Sequence, residues 1–267
     1  FCQLPPDEAA ECDGAIQSLK RANIIRDDGR VDVQAAKRSI AQVQSALMRL
    51  IHAKTPELMR RAKDRLKADQ FKKLILIVPF LEDQEYLMNN LKLYGAVQVN
   101  GKIKFEDRSR NIALFNEANI KCRVIIITPE AGGIGVSLHD HVEPNDEEFK
   151  PYAHMFKSKK DLIFPRELLA LSNFNYLAMF QAYGRAYRSG MRSDVILSVI
   201  YAANASVESV LINTMMKSKV AKGMNLAKQR EYPDQFEVYV DPKYPDAPTL
   251  RDFLNRMRNL TLEEMKK

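Results

Sequence analysis

Lys73-Leu74-Ile75-Leu76-Ile77-Val78-Pro79 is the stretch that decides the fold. A short, unbroken apolar run that ends at proline suits a strand buried on both faces, as in a parallel sheet. Arg123-Val124-Ile125-Ile126-Ile127-Thr128 is a second run of the same kind. Between the two lie a helix-like segment at Glu82–Tyr94, a short strand at Ala96–Val99 and a turn at Asn100-Gly101. A further helix follows at Asp107–Ala118. Beyond the second run, Leu168–Leu171 and Asp194–Ile200 read as strands, and Asn175–Tyr187 and Ser206–Ala221 as helices. This β-α-β alternation predicts an α/β chain with a doubly wound, mainly parallel sheet.

The flanks read differently. Residues 7–70 look helical, with Ala36, Ile40, Val43, Leu47 and Leu50 at helical spacing and Asp32 placed to cap them. Thr55-Pro56-Glu57 has the form of another helix start. This N-terminal arm is polar on its other faces and is expected to pack onto something else. Val142–Lys160 is polar, has Pro144 at its start and Pro165 beyond its end, and reads as an insertion loop. Glu231–Pro248 reads as an extended tail, followed by a short helix at Thr249–Arg258. The expected division is an arm or linker at 1–72, a lobe at 73–222 with its insertion at about 141–165, and a C-terminal extension at 223–267.

With 46% hydrophobic and 28% charged residues among 267, the chain has enough apolar surface to exclude disorder over its whole length. A net charge of +7 favours polyanion partners, nucleic acid or phosphates. The stretch Arg49–Lys73 holds nine cations against Glu57, Asp64 and Asp69. It either tracks a phosphate backbone or packs on another lobe. Cys2, Cys12 and Cys122 are too few and too scattered for a disulfide framework, which favours a reducing, intracellular compartment. No apolar run approaches the ~20 residues that cross a bilayer, so no membrane partner is expected. The chain starts at Phe1 without an initiator Met or a signal peptide, and reads as a piece of a longer protein.

Two segments carry chemistry. In Gln181-Ala182-Tyr183-Gly184-Arg185-Ala186-Tyr187-Arg188-Ser189-Gly190, a helix puts Gln181, Arg185 and Arg188 on one face. Gly184 removes a side chain between them, so another surface can approach. Two guanidiniums without a nearby carboxylate demand an anion, and a triphosphate on a neighbouring lobe would meet that demand. A solvated basic face is the plainer alternative. In Thr128-Pro129-Glu130-Ala131-Gly132-Gly133-Ile134-Gly135-Val136-Ser137-Leu138, Gly132, Gly133 and Gly135 follow a buried strand. They permit close backbone approach to a phosphate. A tight structural turn is the alternative. A dinucleotide-binding loop fails on spacing, because counting from Gly133 the third glycine position is Leu138.

Lesser signals read as structure. His139-Asp140-His141 with Glu143 offers metal-type ligands, but lacks a fourth at useful spacing, so no metal is expected. Tyr183 and Tyr187 are expected to pack in the core rather than stack on bases. Cys122 borders a buried strand and reads as a small core residue, not a nucleophile.

Taken in order, these segments resemble superfamily-two helicases. Gln181-x-x-Gly-Arg-x-x-Arg-x-Gly looks like motif VI, Thr128–Leu138 like motif V, and Leu74–Phe80 like motif IV. Gly101 with Arg108–Phe115 resembles the stretch between them. Ser137-Leu138-His139-Asp140, Phe164-Pro165-Arg166 and Ala205–Lys219 have counterparts in Swi/Snf-type translocases and in strawberry-notch and large-DNA-virus helicases. The match covers roughly residues 73–222 and implies a C-terminal RecA-like lobe. The resemblance makes Arg188 the main arginine finger and Arg185 its partner on the nucleotide phosphates. Gln181, Gly184 and Gly135 couple ATP state, and Thr128, Gly132, Gly133 and Ser137 contact the nucleic-acid backbone. It implies ATP and Mg2+ as cofactors, and as partners a first RecA-like lobe and nucleic acid, DNA in preference to RNA. The chain has no G-x-x-x-x-G-K-[ST] and no acidic helicase box, so the first lobe must supply both and this chain alone is expected not to hydrolyse ATP. A non-catalytic binding platform with the same lobe fold is the rival from another class, and a dinucleotide-binding enzyme a third.

Overall fold

The computed structural model describes residues 2–24, 38–129, 137–171 and 184–202. Within them the apolar runs form β1 (Lys73–Ile77), β2 (Val97–Val99), β3 (Val124–Ile127), β4 (Arg166–Leu171) and β5 (Val195–Ile200). All pair in parallel, in the order β2-β3-β1-β4-β5. In the register, Ile75 stands between Ile125 and Leu168.

Because successive residues of a strand point to opposite faces, one run supplies two cores. Leu74, Leu76 and Val78 face one side with Val124, Ile126, Leu169 and Leu171. That side is covered by α1 (Pro6–Arg21), α2 (Ile40–Ala68) and α3 (Leu81–Leu91), through Cys12, Leu50, Leu58, Leu66, Leu87 and others. Ile75, Ile77, Ile125, Ile127, Leu168 and Ala170 face the other side. There they meet Phe115 of α4 (Phe105–Asn116), Leu138 and Ala186. Every residue of β1, β3 and β4 is buried. Each large apolar side chain so placed contributes roughly 1.5–3 kcal/mol. The doubly wound parallel sheet is therefore as expected.

The arm packs on the sheet itself, in the same core as β1 and β4. The helix start expected at Thr55-Pro56 is absent, because α2 runs through Pro56 without a break. Thr55 Oγ donates to the Ile51 carbonyl at 2.9 Å and to Asp83 Oδ1 at 2.7 Å instead of capping a new helix. An interior proline costs ~3 kcal/mol. Burial of Leu50, Ile51, Leu58, Ala62 and Leu66 along the same helix exceeds that. Arg123 fastens the far end, donating to the carbonyls of Leu66 at 2.9 Å and Lys72 at 3.1 Å, and also to that of Asp69. Part of the basic stretch is neutralised within the chain. Arg60 and Arg61 bind Glu57 at 2.7 and 2.8 Å, and Arg65 and Lys72 reach the buried Glu167 at 3.3 and 3.0 Å.

The insertion is not a structureless loop. It contains α5 (Asp146–Phe149), opened by a capping box between Asn145 and Glu148, and a 3-10 turn at Lys150–Tyr152. Phe71 anchors it, with ring centroids 5.3 Å from Tyr152, 5.4 Å from Phe156 and 6.1 Å from Phe164. The helices expected at Asn175–Tyr187 and Ser206–Ala221 and the extension at 223–267 lie outside the described residues, except for a helical turn at 184–186. Among the described residues no helix is long and apolar enough to cross a membrane.

Gly95 is required where it stands. It has φ +66°, and a Cβ there would lie 1.8 Å from the Lys121 carbonyl oxygen. We expect Gly95→Ala to destabilise the chain by roughly 3 kcal/mol or more, from left-handed strain plus overpacking. Urea unfolding of the two proteins, compared at equal m-value, checks this.

Candidate functional site

The segment after Ser137 and the segment around Arg185 meet on the α4 side of the sheet. Leu138 and Ala186 are both buried there. The Leu138 amide donates to the Arg185 carbonyl at 2.9 Å. Arg188 Nη1 donates to Ser137 Oγ at 3.1 Å, and its Nε to the Gly184 carbonyl at 3.3 Å. Asn116, at the end of α4, donates to the Ser137 carbonyl at 2.8 Å and holds that residue from below.

Arg185 and Arg188 do not share one helix face as expected. Helical structure ends at Ala186, and Arg188 lies past it. Gly190 has φ +85°, and the Met191 amide closes a turn onto the Arg188 carbonyl at 3.3 Å, so the chain has left the helix there. The Arg188 side chain folds back over the helix end, where a cation meets the exposed carbonyls favourably. The two arginines are tied through Ser137-Leu138, one by its carbonyl and the other by its guanidinium. Gln181 is outside the described residues.

Ser137 Oγ also stands 3.2 Å from His139 Nδ1. Burial first, then the charges of His141, Arg188 and Arg166, hold the His139 imidazole below its ordinary pKa. Ser137 Oγ accepts from Arg188 and shares a hydrogen bond with His139, accepting or donating according to the imidazole tautomer. A Ser–His pair suggests a nucleophile, but among the described residues no acid is hydrogen-bonded to this ring. Asp140 instead accepts the Phe164 amide on Oδ2 at 3.2 Å. His139 and His141 stack, centroids 4.3 Å apart, and no group of acids, histidines and cysteines among the described residues could hold a metal.

Beneath the site sits a cation pair that the sequence did not signal. Lys73 and Arg166, the first residues of β1 and β4, are buried. The Arg166 guanidinium carbon is 4.6 Å from the Phe115 ring centre and Lys73 Nζ is 5.6 Å from it. Lys73 Nζ donates to the Phe115 carbonyl at 2.8 Å and to that of Glu117 at 2.6 Å, capping the end of α4. Burial, then the Arg166 charge, pushes the Lys73 pKa down to about 7. Between there and its ordinary value the unfolded chain holds a proton that the folded chain does not, so stability rises with pH. Burial pushes the thiols of Cys12 and Cys122 up to about 11, and their contribution has the opposite sign. Because thiols ordinarily titrate from about 8.5, the clean window is roughly pH 7 to 8.5. We expect urea-derived stability to rise there by roughly 1–2 kcal/mol, and Lys73→Met to lose that slope.

The expected site residues divide. Thr128 is buried at the end of β3, its amide on the Val99 carbonyl at 3.3 Å. Ser137 lies at the opposite pole, beside the last turn of α4 that Lys73 caps at the start of β1. The structure thus joins Ser137 to the arginines and separates it from Thr128. Gly132, Gly133 and Gly135 lie outside the described residues. Gly184 has nothing within 4 Å of where a Cβ would stand. Tyr187, expected in the core, is 43% exposed because it follows the end of the helix. Cys122 is a buried core residue, as expected.

No protein-family model matches the chain. A protein of Acanthamoeba polyphaga mimivirus, provisionally described as ATP-dependent RNA helicase L364, is 28% identical over 183 residues. The match takes in 68% of this chain, which spans only 29% of that relative. Among solved structures, the C-terminal part of the Fun30 ATPase domain aligns with TM-score 0.40 at 16% identity, over 61% of this chain and 54% of that one. The C-terminal domain of the Sulfolobus solfataricus SWI2/SNF2 ATPase aligns with TM-score 0.46 at 13% identity, over 85% of this chain and 84% of that one. By its ordered motifs and its viral relative, the chain resembles the C-terminal RecA-like lobe of superfamily-two helicases.

Proposed function

We propose that this chain is the second motor lobe of an ATP-driven helicase or nucleic-acid translocase, with residues 73–222 as the lobe and Arg188 as its arginine finger. One observation carries the reading. The half-buried Arg188 guanidinium is held by a carbonyl and a hydroxyl, not by a carboxylate, among the described residues. Its positive charge is therefore positioned but not neutralised, which suits a phosphoryl group presented from outside.

Arg185 and Arg188 would meet the nucleotide phosphates, while the Mg2+ would be held by the first lobe. When bound, ATP supplies the phosphoryl transfer that drives the motor. Ser137 orients Arg188 and lies at the end of the glycine segment, so it suits a coupling role better than a backbone contact. Thr128, Gly132 and Gly133 are assigned to the nucleic-acid strand, and Gln181, Gly184 and Gly135 to coupling. The mimivirus relative's description names RNA, whereas the motif likeness favours DNA. Three free, buried cysteines accord with a reducing compartment, which we also propose.

The test compares this chain with a protein joining it to a first lobe that carries the phosphate loop and acidic box. The chain alone binds duplex DNA or RNA with salt-dependent affinity and does not turn over ATP. The joined protein hydrolyses ATP, faster with nucleic acid. Robust turnover by the chain alone, or saturable binding of a nicotinamide or flavin cofactor, contradicts the reading.

A further inference from the structure

We propose that Arg192 is a positioning residue that locks the insertion to the arginine segment, so that residues 141–165 and 184–192 move as one body. The proposal rests on the motor reading for its consequence, but the lock itself is in the geometry. Arg192 Nη1 donates to the Val142 carbonyl at 2.9 Å. Its Nη2 reaches the carbonyls of Lys159 at 3.3 Å, Lys160 at 3.1 Å and Leu162 at 3.3 Å. One guanidinium therefore gathers both ends of the insertion, where the chain leaves the core and where it returns. Only a planar fork with five donors spans acceptors placed so widely; an ammonium is a point source.

The backbone repeats the tie. The Arg192 amide donates to the Asp140 carbonyl at 2.7 Å, and Asp140 Oδ2 accepts the Phe164 amide at 3.2 Å. Arg192 follows Arg188 by one tight turn, and Asp140 follows Ser137, the partner of Arg188. The insertion is itself a folded body, through its capping box and the rings packed on Phe71. A displacement of Arg188 is thus passed to the insertion through hydrogen bonds at its root. A partner that grips the insertion would in turn shift the finger.

Hydrogen exchange read by mass spectrometry tests this on the joined motor, with and without Mg2+ and a non-hydrolysable ATP analogue. In the unaltered protein the analogue slows exchange in 184–192 and in 142–164 together. In Arg192→Ala, amides of 142–164 exchange at least tenfold faster without nucleotide, and no longer respond to the analogue, while 184–192 still does. Unchanged exchange in β1 and β4 shows that the variant is folded. If Arg192→Ala unfolds the chain, Arg192→Lys keeps the charge, cannot reach 142 and 162 together, and gives the same comparison. Exchange in 142–164 that matches the unaltered protein overturns the proposal. A segment 184–192 indifferent to the analogue overturns the motor reading instead, and the nucleotide-free comparison still decides the lock.

Discussion

Arg188→Ala in the joined motor lowers ATP turnover by roughly 10³-fold or more, with nucleic-acid affinity changed by no more than a few-fold. The size follows from where the charge stands. Arg188 reaches Gly184 and Ser137 through different nitrogens, Nε and Nη1. Both partners are neutral, so the cation remains available to charge developing on a transferred phosphoryl group. Arg188→Lys keeps the charge but cannot hold both partners, and recovers little of the rate. Ser137→Ala removes one partner and has a smaller effect, on turnover rather than on nucleic-acid binding. Turnover within tenfold of the unaltered motor for Arg188→Ala would remove Arg188 from the mechanism and favour the binding-platform reading.

The second large effect is on stability. Phe115→Ala costs about 4–6 kcal/mol, of which about 3–5 is the cavity and lost burial and the rest the two cation–π contacts. The ring is fully buried, with Arg166 and Lys73 over it. Nε and Nη1 of Arg166 have no hydrogen-bond partner, so the ring is a main support for that charge. Losing it leaves the buried Arg166 guanidinium against an empty space, while Lys73 keeps its two carbonyls and the Phe164 ring. Since small domains are stable by only ~5–15 kcal/mol, much of the folded population is at risk. Phe115→Leu keeps most of the volume and loses the π face, so its smaller deficit isolates the ring's electrostatic share. Chemical denaturation reads both. A deficit under about 2 kcal/mol for Phe115→Ala would mean that the pocket collapses and the cations find other partners.

Local pattern was enough for the sheet. Five runs stood where β1 to β5 are, and β1, β3 and β4, buried on both faces, left the clearest apolar signature, while the edge strands β2 and β5 are only partly buried. Motif spacing also singled out Arg185 and Arg188, whose chemistry belongs to the proposed function. Thr55-Pro56 was misread because a helix-start signal is local, whereas its suppression came from packing along the whole of α2. The same limit hid the insertion's fold, whose anchor Phe71 lies far away in the chain.

The sequence by itself determined that this protein builds a parallel α/β sheet, and it named Arg185 and Arg188 as the candidates for the proposed chemistry. The tertiary structure alone decided that Ser137 serves Arg188 rather than the neighbourhood of Thr128, that Lys73 and Arg166 share Phe115, and that Arg192 closes the insertion. The physical reason is range. Periodicity and spacing report what neighbouring residues must do, while a guanidinium or ammonium finds its acceptors among carbonyls and rings that only folding brings within roughly 3 to 6 Å.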